Sequence, residues 1–266
     1  MSNPVKKNAE FISQDTRGVV SMRYKTITKA INSEFHNSQS DTANSLQVGS
    51  YGRGTAINTS DIDIIVELPK SEYERYDNQK GNGQSRLLQA VRNAILTPYP
   101  RTNVSADGQV VKVKFTDDML FEVVPAFMSW NGTYTYPDSN NGGNWLSTNP
   151  KAEIEAMRQK NSDSNGLFYD TCKHIRRIRE DYFSSYVLSG IVIDCFVYYA
   201  MGGWYWLREG ESSSANITTF EQTLLDDYNR RFVYNFTLQA PGSYDDVEAG
   251  TSITGLKKVL EYMANG

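Results

Sequence analysis

Apolar residues recur at steps of three and four through Val20, Tyr24, Ile27, Ile31 and Phe35. That spacing makes one apolar stripe on a helix. The pattern predicts helix over 5–36, in one piece or in two with Gly18 at the bend. A polar connector, NSQSDTANS, leads to a short strand, SLQVG, ending at Gly49. Residues 61–68, DIDIIVEL, read as a second strand stopped by Pro69. Loop residues 77–84 precede helical spacing over 86–96. GQVVKVKF then alternates Val111, Val113 and Phe115 against Lys112 and Lys114, and MLFEVVPAF returns after a TDD turn as its hairpin partner.

The stretch 130–150, WNGTYTYPDSNNGGNWLSTNP, has no sustained periodicity and reads as a loop or lid at a lobe boundary. Pro150 opens a run that is mostly helical, over 151–160, 167–181, 185–201 and 219–232, with a last amphipathic helix in ITGLKKVLEYM. The organisation expected is α+β, with a mixed-sheet core over 1–150 that includes the long N-terminal helix and a helical lobe over 151–266.

Bulk properties narrow the function little. The 266 residues, 39% apolar and 22% charged, describe an ordinary folded chain. A net charge of −4 gives no global positive field for nucleic acid, although a local cation cluster suffices for a nucleotide. Cys172 and Cys195 lack metal-ligand spacing and read as buried reduced thiols. The N-terminal MSNPVKKNAEF lacks a signal-peptide run, and 186–201 is too short and interrupted for a membrane span. A cytoplasmic protein without membrane association is the expectation.

The chemistry lies in VGSYGRGTAINTSDIDIIVEL, residues 48–68. Asp61 and Asp63 stand at i and i+2 and therefore share a strand face, while Ile62, Ile64 and Val66 take the other. Two adjacent carboxylates raise each other's pKa unless a cation lies between them. A divalent metal held by oxygen ligands, Mg²⁺ or Mn²⁺, resolves the cost. Glu122, again an acid inside an apolar strand, is the preferred third carboxylate over Asp117 and Asp118, which fall in the turn. Gly49 and Ser50 supply a turn whose N–H groups and hydroxyl can hold phosphate oxygens, without the ending of a Walker A loop. His36 and His174 have no triad partners at suggestive spacing. Arg53 is either a phosphate contact or a surface residue, Lys112 and Lys114 face solvent, and Arg176 and Arg177 pair on the surface with Glu180 and Asp181. Tyr182, Tyr186, Trp130 and Trp145 could stack on a base, but none is assigned.

GSYGRGTAINTSDIDI resembles the Gly-Ser plus DxD signature of the polymerase-β-like nucleotidyltransferases. With LFEVVPAF, GNWLSTNP and FYDTCKHIRRIRED…SSYVLSGIVIDCF, the chain is similar over residues 10–200 to the cGAS/DncV-like nucleotidyltransferases (CD-NTases) of bacterial CBASS anti-phage systems. Two positions depart from that pattern: Glu122 stands where aspartate is common, and Ser189 where glutamate is. The resemblance implies a two-lobed polymerase-β-like fold with the helical lobe closing the active site. It implies two Mg²⁺ (or Mn²⁺) ions held by the catalytic acids Asp61, Asp63 and Glu122, with Gly49, Ser50, Lys173 and Ser185 on the triphosphate. One ion would bridge the triphosphate through both aspartates. The other would activate the acceptor ribose hydroxyl. Substrates would be NTPs (ATP, GTP, UTP or CTP), the product a cyclic di- or trinucleotide messenger, the enzyme a bacterial cytoplasmic monomer, and an effector or regulator would be encoded nearby. Two readings stay beside it: transfer to another acceptor (an RNA end, an antibiotic or a protein), and a catalytically inactive nucleotide or RNA sensor.

Overall fold

The structure is a computed structural model that describes residues 3–9, 11–212, 218–232 and 237–265. The chain divides into two compact units, one of residues 12–52 and 58–151, the other of residues 1–11, 53–57 and 152–266.

The first unit is a mixed sheet with helices on one face. Helix α1 (Gln14–Phe35) starts at Ser13, whose hydroxyl accepts from the Thr16 N–H. Strand β1 (Ser45–Gln47) leads into a four-residue helical turn, α2 (Gly49–Gly52). Then come β2 (Ile62–Glu67), α3 (Lys70–Asp77) and α4 (Gly83–Leu96), the last capped by Asn82 accepting from the Ser85 N–H. Strands β3 (Asn103–Asp107), β4 (Val110–Lys114), β5 (Leu120–Met128), β6 (Tyr134–Asp138) and β7 (Asn144–Thr148) follow. The strand order is β1-β2-β5-β4-β3, with β6 joined to β5 and β7 to β6. Among these pairs β2 and β5 alone run parallel. Ile62, Ile64 and Val66 of β2, Val111 and Val113 of β4, and Phe121 and Val123 of β5 form one core with Ile27 and Ile31 of α1 and Leu87, Leu88, Val91 and Ile95 of α4.

The second unit is helical. It takes up nearly all of α5 (Pro150–Asp163), then α6 (Leu167–Tyr182), α7 (Gly190–Ala200), α8 (Phe220–Phe232) and α9 (Ser252–Asn265). A small ladder pairs β8 (Leu238–Gln239) with β9 (Asp246–Val247). Phe168, Ile175, Phe196, Leu224, Leu256 and Leu260 centre its core.

Several elements differ from the sequence reading. Helix α1 begins only after Ser13, because the chain before it serves another core: Val5 is buried in the helical unit, its N–H bonded to Glu221 Oε1 at 3.0 Å. Residues 130–150 are no loop but carry the β6–β7 hairpin, turned through Asn141, Gly142 and Gly143 at positive φ. The turn residues were plain in the sequence. The strands were not, since β6 buries only Tyr134 and Pro137 and β7 buries none of its residues. Polar α3 and edge strand β3 escaped for the same reason, burying only Tyr76 and Val104 respectively. Residues 185–189 are not helical, and Ser189 takes extended backbone at the start of α7. Both cysteines are buried and free, as expected. Among the described residues no helix is long and apolar enough to cross a membrane.

Candidate active site

The face of the sheet opposite the α1–α4 core carries the acids. Asp61 lies immediately before β2, Asp63 is its second residue, and parallel pairing sets Asp63 directly beside Glu122 of β5. Neighbours in register point to the same side of a sheet, so the three carboxylates belong to one face. Burial raises the Asp61 pKa, with Lys112 pulling it down. Burial likewise raises that of Glu122, where Lys112 opposes and Asp61 and Asp107 reinforce the rise. Glu122 thus senses the Asp61 charge across the strand pair.

The Gly-Ser turn abuts this face. The Val48 N–H donates to the Asp63 carbonyl at 2.9 Å, and the Gly52 N–H donates to the Val48 carbonyl at 2.9 Å. The first bond docks the turn onto β2, and the second closes the turn. Gly49 has φ +57°, and a Cβ placed there would stand 1.8 Å from Asp63 Oδ2. Only glycine tolerates both that conformation and that approach. Gly49 and Ser50 therefore open a helical turn right beside the Asp63 carboxylate.

The donor set fits a hard divalent cation: the acids are oxygen ligands on adjacent strands, and the space a side chain would fill at Gly49 holds the Asp63 carboxylate. Among the described residues, however, no three His, Cys, Asp or Glu side chains are already gathered into a metal cage. Like charges repel without a cation between them. A nearby cation was missed: Lys112, expected to face solvent, lies opposite Glu122 in the β4–β5 ladder and 3.9 Å from its carboxylate. Its alternation with Val111 and Val113 put it on the acid face, which was the available signal. Lys114 is the more exposed of the two and pairs with Asp118 at 3.5 Å.

The remaining candidates lie in the helical unit. Lys173 is half-buried on α6, its ammonium 5.7 Å from the centre of the Tyr169 ring. Ser185 sits exposed in the turn between α6 and α7, not inside a helix. Arg176 is a correction, since it is buried, with Nη1 2.7 Å from Asp194 Oδ1, rather than paired on the surface with Glu180. Arg177 does pair with Asp181, at 2.8 Å. Arg53 is not a surface residue either: it is buried, its Nε donating to Asp194 Oδ2 at 2.9 Å. Thr55 donates its hydroxyl to the same oxygen at 2.9 Å. Neither histidine ring meets a triad: His36 bonds the Glu67 carbonyl and His174 the Asn3 carbonyl. Of the uncommitted aromatics, Trp130 is fully exposed, whereas Trp145 packs against Tyr73 and Phe127.

A mixed sheet with helices on one face and acids on the other, beside a Gly-Ser turn, is the polymerase-β-like arrangement of CD-NTases. Solved structures bear out that fold. The cyclic dinucleotide synthase CdnE of Elizabethkingia meningoseptica, determined with GTP and Apcpp, aligns at TM-score 0.62 and 14% identity over 98% of this chain and 93% of that one. The CD-NTase CdnG of Bradyrhizobium diazoefficiens, in complex with GTP, aligns at TM-score 0.64 and 13% identity over 97% and 86%. The family model for the Second Messenger Oligonucleotide or Dinucleotide Synthetase domain matches residues 6–161, and the chain belongs to that family of cGAS/DncV-like nucleotidyltransferases. A cyclic AMP-AMP-AMP synthase of Acinetobacter sp. is 28% identical over 151 residues, 56% of this chain. The match spans 43% of that relative's length.

Proposed function

We propose that this chain joins nucleoside triphosphates into a cyclic di- or trinucleotide second messenger for anti-phage signalling, by successive 3′–5′ or 2′–5′ transfers in one site. The observation that carries the reading is the register of Asp63 with Glu122, with Asp61 on the same face and the Gly49–Ser50 turn pressed against Asp63. The Acinetobacter relative, named for a cyclic trinucleotide synthase, and the solved neighbours holding GTP support it. The same reading makes the enzyme a cytoplasmic monomer with an effector or regulator encoded nearby.

Asp61, Asp63 and Glu122 would hold two Mg²⁺ or Mn²⁺ ions. When bound, such ions neutralise the triphosphate and lower the pKa of the acceptor hydroxyl. The chain's own part is positioning. The N–H groups at Gly49 and Ser50 and the Ser50 hydroxyl donate to the β- and γ-phosphate oxygens, which holds the α-phosphate near the acids. Lys173 and Ser185 add a cation and a donor for the same polyphosphate. The three carboxylates line up the acceptor ribose hydroxyl for in-line attack, and pyrophosphate departs opposite it.

The test is incubation with Mg²⁺ and all four labelled NTPs, read by mass spectrometry. A phosphatase-resistant product formed with pyrophosphate supports the reading. Product only on added RNA or an aminoglycoside assigns another acceptor, and binding without turnover assigns a sensor.

Gly49→Ala checks the turn. The new methyl group collides with the Asp63 carboxylate, and the alanine must hold a left-handed φ that costs about 1 kcal/mol. Displacing a reacting group by about 1 Å costs roughly a hundredfold in rate. Turnover is expected to fall by about that factor while the thermal melt moves by only a few degrees. Equal activity at an unchanged melt would separate the turn from the chemistry.

A further inference from the structure

Lys112 occupies a place that the proposed role of the acids leaves unexplained. It stands on β4 directly across from Glu122 of β5, on the face opposite buried Val111 and Val113. Its Nζ lies 2.7 Å from Asp107 Oδ2 and 3.9 Å from Glu122 Oε1. Its charge reaches Asp61 as well as Glu122. The side chain is 37% exposed, so it is free to swing without disturbing the core. Two carboxylates that repel each other thus already have a cation beside them, supplied by the chain itself.

We propose that Lys112 is a positioning residue, a counter-cation tethered to Asp107 within ion-pair reach of Glu122, that competes with the divalent ion for the Glu122 carboxylate. The inference rests on the reading of Asp61, Asp63 and Glu122 as metal ligands and adds to it what sets their affinity. An ammonium close to Glu122 disfavours a second cation there by Coulomb repulsion, and the Asp107 pair keeps that ammonium within reach. The free enzyme is then a weak metal binder, and removing the Lys112 charge makes it a stronger one.

The probe is Mn²⁺ alone, titrated by electron paramagnetic resonance into the full chain without nucleotide. Lys112→Met is expected to tighten Mn²⁺ binding about 3- to 10-fold. Lys112→Arg, which keeps the charge, should bind like the wild type. Lys114→Met is the control, because it makes the same change in net charge two residues along the same strand face, beside Asp118 instead of Glu122. It should shift affinity less than twofold. Lys112→Met binding no more tightly than Lys114→Met, or more weakly than the wild type, overturns the proposal. Wild-type Mn²⁺ binding that survives Asp61→Asn/Asp63→Asn unchanged overturns the metal reading itself. That outcome is read on different variants, so the two failures are told apart.

Discussion

Turnover should fall by roughly a thousandfold or more when Asp61 and Asp63 are both replaced by asparagine, a loss of about 4 kcal/mol of transition-state stabilisation. The shape of the face is kept, because asparagine is nearly isosteric and the backbone bonds of β2 to β1 and β5 do not involve these side chains. What goes is the charge that the triphosphate chemistry needs. Stability moves the other way. Burial raises the Asp61 pKa in the fold, Lys112 only partly offsetting it, so the folded state holds the neutral acid better than the charged one. That penalty is absent below the ordinary aspartate range and grows as pH rises through the raised value. Asp61→Asn alone should therefore melt slightly higher than the wild type near pH 7, and the gain should vanish in acid. Pyrophosphate release with Mg²⁺ and NTPs, and melting curves at two pH values, check both halves. A double variant that still turns over would remove Asp61 and Asp63 from the chemistry.

Asp61, Asp63 and Glu122 were legible in the sequence because a carboxylate inside an apolar strand is costly wherever the strand lies. That argument needs only local alternation. Their register was not legible, since β2 and β5 pair in parallel across more than fifty intervening residues, beyond the reach of any local pattern. Helix α1 and the β4–β5 hairpin were visible for the same local reason: each carries one apolar face. Strands β6 and β7 and helix α3 have almost none, so their order comes from pairing and capping that polar residues leave unmarked. Arg176 was lost to an assumption. Its surface partner Glu180 lies at the favourable i+4 spacing, yet Glu180 bonds Arg179 instead. The cue was Asp194 within IVIDCFVYYA, an acid in an apolar run like Asp61, which asks for buried cations by the same reasoning.

Those cations make the largest stability prediction. The Asp194 carboxylate is wholly buried and accepts from Arg176 Nη1 at 2.7 Å, Arg53 Nε at 2.9 Å and the Thr55 hydroxyl at 2.9 Å. Burial works against its charge, but the two guanidiniums outweigh burial and hold its pKa below the ordinary aspartate range. Its contribution is therefore complete above that range and lost only as pH falls through the depressed value. Asp194→Ala leaves Arg176 without its carboxylate and Arg53 with Glu153 alone, 3.5 Å away, both guanidiniums more than nine-tenths buried. Breaking one side of such a cluster costs about 3–5 kcal/mol, which lowers the melting temperature by roughly 6–20 °C at this size. Replacing Asp194 and both guanidiniums together (Asp194→Leu, Arg53→Met, Arg176→Met) should recover part of that loss, because desolvation consumes much of what buried ion pairs return, while Glu153 loses its Arg53 partner. Urea unfolding of the single and triple variants measures both. A single variant within about 1 kcal/mol of the wild type would mean that water reaches the cluster, and a triple variant no better than the single would mean that Arg176 holds the helical unit by its bonds to the Cys172 and Gly190 carbonyls rather than by charge.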